Sequence, residues 1–398
     1  MKIVVTGASG YIGRHLVPKL KSDGHDLLLV GRSPEQLARL HPDCASCSYD
    51  SLEQHVRGYE ALVHLAVHNN TSDADLEQFT AVNVGLLKQV FDIAASANIA
   101  RFVYIASFHD QSGGDPYSVS KAEAADWLDQ QNGTSITKIR IPAVYAETFQ
   151  GKLSMVSKFP KFARPAVLTF ARALKPIVAM DLVVATITRS LVEPHFPETM
   201  HVSDDVTGNM PYRIWDSILN ASFVLVVVLG FWWLLAALWV AIRVTSPGPA
   251  IFAQNRVGLH GQVFTCRKFR TMHAGTVQAG THKVTADSIT RIGAVLRRTK
   301  LDELPQVWNI LRGHVSLIGP RPCLPIQHQL IEERRRKHVL TIKPGITGFA
   351  QVRNVDMSDP KRLATVDAQY LVRKSITADI GILLGTLTGR GLGDRVRN

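Results

Sequence analysis

The stretch Lys2-Ile-Val-Val-Thr6-Gly7-Ala-Ser-Gly10-Tyr-Ile-Gly13 decides the fold of the first half of this chain. Its apolar residues 3–5 predict a short buried strand, and the pattern after the glycines predicts a helix. Glycines between a strand and a helix allow a tight turn and let a pyrophosphate approach the backbone N–H groups at the helix start. The sequence therefore predicts a dinucleotide-binding turn, whose cofactor-binding positions are Gly7, Gly10 and Gly13.

Further strand-like segments follow, with helical stretches between them, at residues 26–30, 61–65, 101–106 and 137–141. This alternation predicts an α/β fold with a doubly wound parallel sheet of the Rossmann type. After the second strand, a carboxylate would bind the ribose 2′-OH of NAD, but the chain has Arg32 there. A cation at this place favours the 2′-phosphate of NADP(H). NAD(H) remains an alternative cofactor, in which case Arg32 is a surface residue.

Tyr117-Ser-Val-Ser-Lys121 places a tyrosine and a lysine four positions apart on a predicted helix, so both side chains share one face. A nearby ammonium lowers the pKa of a phenol, which makes the tyrosine a usable proton donor or acceptor. Together with the glycine turn, Ser107 at a strand end and Asn83 in a helix, this pair resembles the extended short-chain dehydrogenase/reductase family over residues 1–205.

The resemblance implies roles for four residues of the first half. Ser107, Tyr117 and Lys121 form the catalytic set, Tyr117 and Lys121 also contact the cofactor, and Asp50 contacts the adenine. The family includes nucleotide-sugar epimerases, dehydratases and 4-ketoreductases. Arg32 favours an NADPH-dependent 4-keto-sugar reductase, which would make a UDP-6-deoxy-HexNAc such as UDP-QuiNAc or UDP-FucNAc. A UDP-sugar 4-epimerase and a non-catalytic nucleotide-binding or scaffold module are the alternatives.

Charge is divided unevenly along the chain. Residues 211–398 hold 26 Lys+Arg and 11 Asp+Glu, whereas residues 1–210 hold 19 Lys+Arg and 22 Asp+Glu. A basic region beside an apolar run suits anionic headgroups or phosphorylated lipids. Arg334-Arg-Arg-Lys337, on a predicted helix, either contacts such headgroups or forms a solvated face. Nucleic acid is not expected as a partner, because no nucleic-acid motif is present.

The stretch from Arg297 to Arg321 places two adjacent carboxylates, Asp302 and Glu303, among cations. An acid pair in a basic setting suits phosphate chemistry. One carboxylate can attack phosphorus, the other can hold a divalent cation, and guanidinium groups can bind phosphate oxygens. The alternative is a solvated helix N-terminus, where the helix dipole favours acidic residues.

Four further blocks surround this pair or precede it, in a fixed order along the chain. They are Thr245-Ser-Pro-Gly-Pro-Ala-Ile-Phe-Ala-Gln-Asn-Arg256-Val-Gly258, Lys268-Phe-Arg-Thr-Met272, Gly319-Pro-Arg-Pro322 and Lys343-Pro-Gly-Ile-Thr-Gly-Phe-Ala-Gln351. In this order the blocks closely resemble the bacterial sugar transferases, the monotopic polyprenyl-phosphate phosphoglycosyl transferases, over residues 211–390. The resemblance implies transfer of a sugar-1-phosphate from a UDP-sugar to undecaprenyl phosphate, with release of UMP, a covalent enzyme intermediate and Mg²⁺.

By the same resemblance Asp302 is the nucleophile that takes the phosphosugar, and Glu303, beside Asp302, is the Mg²⁺ ligand. Arg297 and Arg321 would bind phosphate oxygens. A nucleophilic carboxylate splits the transfer into two steps, which predicts ping-pong kinetics. Three further positions align with polar positions of the family and are expected to bind substrate phosphate: Lys268, Arg353 and Asp379.

One apolar run, residues 218–242, has no charge over 25 residues, and Asn220 and Ser222 are its only clearly polar side chains. As one helix it would extend about 37 Å, enough to cross a hydrocarbon core of about 30 Å. A spanning helix would separate two halves that both need cytoplasmic nucleotides. A re-entrant helix keeps both halves on one side, and Gly230, near the midpoint, is the predicted bend. The backbone at the bend would need internal partners.

These features predict a bifunctional enzyme of the bacterial inner (cytoplasmic) membrane, with both domains facing the cytoplasm. The sugar would enter O-antigen, capsule or related glycan assembly. UDP-sugar, undecaprenyl phosphate and membrane lipid are the expected partners, and a homodimer is the oligomer considered. The predicted parts are a nucleotide-sugar modifying domain (1–205), a linker (206–216), a re-entrant membrane helix (217–245) and a small α/β monotopic transferase domain (246–398).

Overall fold

The chain folds into two units, seen in a computed structural model that describes residues 1–68, 75–108, 115–276 and 288–390. The first unit is Met1–Leu168 with Pro176–Asp204, and the second is Thr169–Lys175 with Asp205–Asn398. Each unit has its own hydrophobic clusters. The main division between the units, after Asp204, lies next to the boundary predicted at residue 205.

The first unit contains a seven-stranded sheet in which every neighbouring pair is parallel. In sheet order its strands are β3 (Ala45–Cys47), β2 (Asp26–Val30), β1 (Lys2–Thr6), β4 (Ala61–His64), β5 (Arg101–Ser107), β6 (Ser135–Ile141) and β9 (Thr199–His201). Two further short strands, β7 (Ala143–Tyr145) and β8 (Ile177–Ala179), pair with each other in parallel.

Helices of the first unit alternate with these strands. They are α1 (Gly13–Ser22), α2 (Pro34–Leu40), α3 (Leu52–His55), α4 (Leu76–Thr80), α5 (Leu87–Ser96), α6 (Pro116–Leu128) and α8 (Met180–Val192). A π-helical segment, Ala81–Leu86, joins α4 to α5, and a 3-10 helix covers Gly151–Lys158. α7 (Arg164–Leu174) runs along the chain from the first unit into the second.

The central strands β1 and β4 are mostly apolar because both faces of the sheet are covered. Ile3 and Val5 of β1 belong to one buried cluster, and Val4 between them belongs to another. Side chains alternate between the two faces of a strand, so two separate clusters mean two covered faces. This confirms the predicted doubly wound Rossmann-type sheet.

The second unit begins with an apolar segment that forms two helices rather than one. α9 (Met210–Leu225) continues as a π-helical segment, Val226–Gly230, and α10 (Trp232–Thr245) follows. Phe231 between them has non-helical dihedrals of φ −117° and ψ 16°. The indole Nε1 of Trp233 donates to the carbonyl of Gly230 at 3.0 Å, so this carbonyl at the break has an internal partner.

The interruption falls at Gly230, the predicted bend. Within the described residues, Met210–Gly230 is the one helix long and apolar enough to cross a membrane, and Trp232–Thr245 and Ile376–Leu387 are shorter apolar helices. The re-entrant placement of this segment stays a prediction.

The linker predicted at 206–216 is shorter than expected, because α9 already begins at Met210. Asn209 caps the helix, since its Oδ1 accepts the N–H of Tyr212 at 3.1 Å. Pro211 lies in the first turn, where proline favours a helix start. Pro211, which falls inside the range predicted as a linker, is therefore part of the first turn of α9.

The rest of the second unit is small and mixed. An antiparallel pair, β10 (Ile251–Val257) and β11 (Val263–Phe269), and a parallel pair, β12 (Ser316–Ile318) and β13 (Gly345–Thr347), form its two sheets. Its helices are α11 (Arg291–Thr299), α12 (Val307–Leu311), α13 (His328–Arg336), α14 (Pro360–Arg373) and α15 (Ile376–Leu387). Short 3-10 helices lie at Leu259–Gly261, Leu301–Gln306, Val339–Thr341 and Gln351–Arg353.

The amide of Asn220, a polar group within the apolar run, forms hydrogen bonds with the segment of β12. Its Oδ1 accepts the N–H of Leu317 at 2.7 Å, and its Nδ2 donates to the hydroxyl of Ser316 at 3.1 Å. The Ser316 hydroxyl in turn donates to Asp216 at 3.1 Å. These bonds join α9 to the edge of β12, so Asn220 fixes the apolar helix against the transferase unit.

Candidate active sites

The pair Asp302 and Glu303 lies at a sharp change of chain direction. α11 ends at Thr299, and Lys300 adopts the left-handed conformation with φ 59°. The 3-10 helix Leu301–Gln306 starts immediately after it and carries both carboxylates in its first turn. The left-handed residue therefore ends one helix and starts the next, which leads into α12.

Two parts of the chain bring cationic side chains to Glu303. Lys268 of β11 places its Nζ 2.5 Å from Oε1 of Glu303. Arg321, from the segment after β12, places an NH2 nitrogen 3.7 Å from the same oxygen. All three side chains are mostly buried, with 13% to 23% of their surface exposed. The structure thus joins three residues that the sequence separates by up to 53 positions.

Asp302 is a partly buried carboxyl group with a perturbed pKa. Burial, and next the negative charge of Glu303, raise the pKa of Asp302 to about 6. The cations of Lys268, Arg321 and Arg297 oppose this rise. Asp302 is therefore ionised at neutral pH but poorly hydrated, which suits a carboxylate that attacks an electrophile.

Arg297 approaches this pair from the last turn of α11. Its Nε donates to the hydroxyl of Thr271 at 3.0 Å, which ties it to the Lys268–Met272 block. Its charge lowers the pKa of Asp302. All three predicted phosphate-binding cations near the pair, Lys268, Arg297 and Arg321, thus act on Asp302 or Glu303.

Asn309 was not singled out from the sequence, although it is fully buried. Its Nδ2 donates to the carbonyl of Thr265 at 2.7 Å, and its Oδ1 accepts the N–H of Arg267 at 3.0 Å. These bonds hold α12 against β11, and so hold the segment of Glu303 against the strand of Lys268. The sequence feature that could have identified Asn309 is its position as the single amide in the otherwise apolar run 307–311.

Arg334 corrects the expectation that 334–337 is a uniform headgroup-binding or solvated face. Its guanidinium is 2% exposed and donates through Nε and NH2 to Oδ2 of Asp367 at 3.0 and 2.7 Å. Its NH1 donates to the backbone carbonyl of Arg321 at 2.8 Å. Arg335 and Arg336 are exposed and pair with Glu332. Arg334 therefore holds the loop that carries Arg321.

Asp379 and Arg353 lie in other surroundings. Asp379 is 1% exposed and accepts the hydroxyls of Tyr212 and Tyr370, each at 2.7 Å. The guanidinium carbon of Arg353 lies 3.5 Å from the ring centroid of Phe349. Asp379 thus takes part in the packing of α9, α14 and α15. Phosphate binding by Asp379 or Arg353 stays a prediction.

The glycine turn of the first unit has little spare room. Gly7 has φ +70°, and a Cβ there would lie 2.7 Å from the backbone nitrogen of Ala66. A Cβ at Gly13 would lie 2.5 Å from the carbonyl oxygen of Ala8. Gly10 donates its N–H to Gly7 at 2.9 Å and completes the turn. The close strand-to-helix approach of a dinucleotide fold therefore requires Gly7 and Gly13.

Lys121 lies at the carboxyl end of β5, where ligands bind in open α/β sheets. It is 3% exposed, donates to the carbonyl of Ile105 at 3.0 Å and lies 4.3 Å from the ring centroid of Tyr104. Tyr117 is one turn earlier on α6, and Ser107 ends β5. Residues 109–114 between them lie outside the described part of the chain.

Three further predicted residues lie around this edge of the sheet. Asn83 accepts the N–H of His68 at 2.8 Å and donates to Ser120 at 2.9 Å, which ties it to the helix of Tyr117. Arg32 and Asp50 are exposed after β2 and β3. Burial raises the pKa of Tyr49, next to Asp50, to about 12, and the charge of Arg32 opposes that rise. Arg32 is thus near the Tyr49–Asp50 segment.

Comparison with known proteins matches this two-part organisation. Residues 211–390 match the bacterial sugar transferase family. The uncharacterized sugar transferase EpsL of Bacillus subtilis is 37% identical over 147 residues, which cover 37% of this chain and 72% of that protein. The exopolysaccharide production protein PSS of Rhizobium leguminosarum is 36% identical over 163 residues, covering 37% and 80%. The chain belongs to the bacterial sugar transferase family through its second half.

Other relatives are longer than the matched region. The UDP-glucose:undecaprenyl-phosphate glucose-1-phosphate transferase of Xanthomonas campestris is 40% identical over 174 residues, covering 40% of this chain and 35% of that protein. The chain thus spans about a third of the length of this relative. Residues 3–170 match the NAD dependent epimerase/dehydratase family. The protein therefore joins an epimerase/dehydratase-like region to a sugar transferase region.

Proposed function

We propose that the second half transfers a sugar-1-phosphate from a UDP-sugar to undecaprenyl phosphate and releases UMP. The observation that carries this proposal is the partly buried Asp302 beside Glu303, whose oxygen contacts Lys268 and Arg321. The transferase of Xanthomonas campestris is named for the same kind of reaction with UDP-glucose.

The proposed transfer has two displacements at one phosphorus atom. In the first, a carboxylate oxygen of Asp302 forms a bond to the β-phosphorus of the UDP-sugar. The bond from that phosphorus to the oxygen bridging to the α-phosphate breaks, and UMP leaves with the electron pair. In the second, a phosphate oxygen of undecaprenyl phosphate attacks the same phosphorus. The bond to Asp302 breaks, which restores the carboxylate and yields undecaprenyl-diphospho-sugar.

The cations near the pair would orient the donor. Arg297 and Arg321 can each present two N–H groups to phosphate oxygens, and Lys268 contributes a point charge. The carboxylates also fit a magnesium ion, because Mg²⁺ usually binds one or two carboxylates together with substrate phosphates. Glu303 would hold the ion, with Asp302 beside it. Bound Mg²⁺ would neutralise diphosphate charge as UMP leaves.

We propose that the first half makes or modifies the UDP-sugar with NADP(H). The turn at Gly7, Gly10 and Gly13 fits a pyrophosphate, and the exposed Arg32 suits a 2′-phosphate. The nicotinamide would exchange a hydride with the sugar when bound. Tyr117 would move a proton to or from the sugar oxygen, with Lys121 one turn away and Ser107 at the strand end.

The first half has three candidate activities. Arg32 supports a 4-keto-sugar reductase that consumes NADPH. A UDP-sugar 4-epimerase would use Ser107, Tyr117 and Lys121 as well, and would recycle its cofactor. A non-catalytic nucleotide-binding or scaffold module would need neither Tyr117 nor Lys121. Substitution of Tyr117 by Phe separates the last from the others, because a scaffold would not respond.

The broken helix α9–α10 supports a re-entrant placement at the bacterial inner membrane, with both halves in the cytoplasm. Such a hairpin needs internal partners for the backbone at its bend, and the bond from Trp233 to the carbonyl of Gly230 supplies one. Cysteine labelling on either side of the run, before 213 and after 245, tests this topology. Opposite accessibility of the two labels would contradict it.

The transferase proposal is tested with the detergent-solubilised full chain. UMP release is measured for a panel of UDP-sugars with and without undecaprenyl phosphate and NADPH. The mass of the intact protein is measured by mass spectrometry after exposure to the UDP-sugar alone. We expect UMP release and a mass increase of one phosphosugar. Asp302→Asn should lose both, whereas the matched control Glu332→Gln, a partly exposed carboxylate, should keep both. Retention of the adduct in Asp302→Asn would overturn the assignment.

A further inference from the structure

One segment of the first unit has a composition unlike the rest of that unit. Residues 148–180 hold six Lys+Arg and no Asp or Glu, whereas the other residues of 1–210 hold 13 Lys+Arg and 22 Asp+Glu. Within it, residues 155–164 have the sequence Met155-Val-Ser-Lys-Phe-Pro-Lys-Phe-Ala-Arg164. We refer to residues 155–164 as the basic aromatic segment.

The basic aromatic segment exposes large apolar side chains. Phe162 is 88% exposed, Met155 63% and Phe159 45%. Two neighbours point the other way, since Leu153 and Val156 are buried. Buried aliphatic side chains thus fix the segment to the first unit, while its phenylalanine side chains are exposed to solvent. Exposure of their apolar surface to water is unfavourable unless a partner covers it.

Its cations accompany the exposed rings. Lys158 and Lys161 are both exposed. Arg164 donates through Nε to the carbonyl of Phe159 and through NH2 to that of Ser157, each at 3.0 Å. These bonds hold the turn in shape and keep a third positive charge beside the rings. Aromatic side chains next to lysines, with no acid among them, are typical of surfaces that bind anionic bilayers.

We propose that the basic aromatic segment binds the surface of an anionic phospholipid bilayer. Phe159 and Phe162 would enter the headgroup region, and Lys158 and Lys161 would bind lipid phosphates. The proposal goes beyond the transfer reaction and adds a second membrane contact, in the first unit, to that proposed for α9–α10. It depends on the proposed function only in that the chain must meet a bilayer.

Other occupants fit less well. A nucleotide-sugar site needs walls around its ligand, whereas the ring of Phe162 is almost fully exposed. A symmetric contact with a second copy would bring this segment against itself and oppose like charges without an acid to pair them. Charge complementarity therefore favours a lipid surface.

The test uses the full chain on vesicles, with a fluorophore sensitive to its surroundings at Ser154→Cys. Ser154 is exposed and adjoins the segment without being part of it. The background carries Cys44→Ser, because Cys44 is partly exposed and the other three free cysteines are buried. A second label at the exposed position Gln130→Cys serves as the control site.

Vesicles of phosphatidylethanolamine and phosphatidylglycerol carry a spin label near the headgroup. We expect strong quenching at position 154 and little at 130. Lys158→Glu with Lys161→Glu should reduce the fraction of quenched label about tenfold or more, since each cation near such a surface contributes appreciably. Phe159→Ser with Phe162→Ser should also reduce it. Vesicles of zwitterionic phosphatidylcholine, which have no net charge, should quench the label at position 154 weakly.

Three results would overturn the proposal. They are no quenching at position 154 although the chain sediments with vesicles, quenching unchanged by both double variants, and energy transfer between labelled copies in place of quenching by lipid. UMP release is measured on the same vesicles. If the chain without the charge or aromatic substitutions releases no UMP but its label at position 154 is still quenched, the proposed transfer reaction is refuted and the lipid contact is supported.

Discussion

The NH1 of Arg334 donates to the backbone carbonyl of Arg321 at 2.8 Å, while its other nitrogens bind Asp367. A fully buried ion pair thus holds the loop whose side chain reaches Glu303. A buried pair is weak evidence for stability, because removing its charges from water is costly. Its value here is positional, since it fixes where Arg321 can lie.

Replacement of Arg334 by Met should destabilise the chain by about 3 to 5 kcal/mol, because Asp367 would remain as a buried unpaired charge. Arg334→Met with Asp367→Leu should recover most of that stability in thermal unfolding. UMP release by the double variant should stay at least about tenfold below that of the unsubstituted chain. The reason is that the carbonyl of Arg321 has lost its hydrogen bond from Arg334. Full recovery of UMP release would mean that Arg334 serves packing alone.

The rate of UMP release should fall as the pH falls through about 6. The pKa of Asp302 is raised to about 6, and only its ionised form can attack phosphorus. An ordinary aspartate would stay active down to about pH 4. The measurement is the pH dependence of kcat/KM with saturating acceptor and with Mg²⁺ well below saturation, because a bound Mg²⁺ would lower the pKa of Asp302. A flat profile between pH 5 and pH 7 would contradict this role.

Lys268→Met should move the same acidic limb to higher pH. Lys268 lowers the pKa of Asp302, so its removal leaves burial and Glu303 less opposed. The exposed Lys361→Met is the matched control and should leave the limb unchanged. A limb that moves to lower pH would show that the dominant interaction has been misassigned.

Asn220→Leu should destabilise the chain by about 1 to 3 kcal/mol even though it makes the apolar helix more hydrophobic. The substitution leaves the N–H of Leu317 without its acceptor and removes the amide that donates to the Ser316 hydroxyl, which keeps its bond to Asp216. Ser222→Leu is the control, because Ser222 is exposed on the same helix. Thermal unfolding in one detergent compares the two. Equal melting temperatures would mean that the bonds of Asn220 contribute nothing.

Arg32→Glu should shift cofactor preference from NADPH toward NADH. A carboxylate after β2 would repel the 2′-phosphate and accept the ribose hydroxyl. We expect the Kd of NADPH to rise about tenfold or more, measured by fluorescence of the reduced cofactor. Arg39→Glu, on the exposed end of α2, should have no effect. Unchanged NADPH binding in Arg32→Glu would remove the basis for preferring NADP(H).

The parallel sheet could be predicted because β1, β2, β4 and β5 contain short apolar runs, which can be recognised without knowledge of neighbouring strands. β6 could be predicted from Ile139 and Ile141, which alternate with Arg140. β3 and β9 were not predicted, since each has three residues and lies at an edge of the sheet. Their pairing depends on the strand beside them. The entrance to α9 was placed too late for a similar reason, because Pro211 suits a linker and a first helical turn equally well.

The candidate transferase site could be predicted as a set of residues but not as a geometry. Asp302 and Glu303 are adjacent, and their setting among cations is visible in the sequence. Asn309 was missed and Arg334 was assigned to a headgroup-binding or solvated face, because a polar residue on a helix resembles a solvated one until its partner is known. The partner Asp367 is 33 positions from Arg334 and carries no signal of its own.

The shared oxygen of Glu303 has a consequence for how a donor would enter. Lys268 and Arg321 lie 2.5 and 3.7 Å from the same carboxylate oxygen. A phosphate oxygen that binds either cation therefore competes with Glu303 for it. We expect binding of the proposed diphosphate donor to loosen the contacts that hold Glu303 in place.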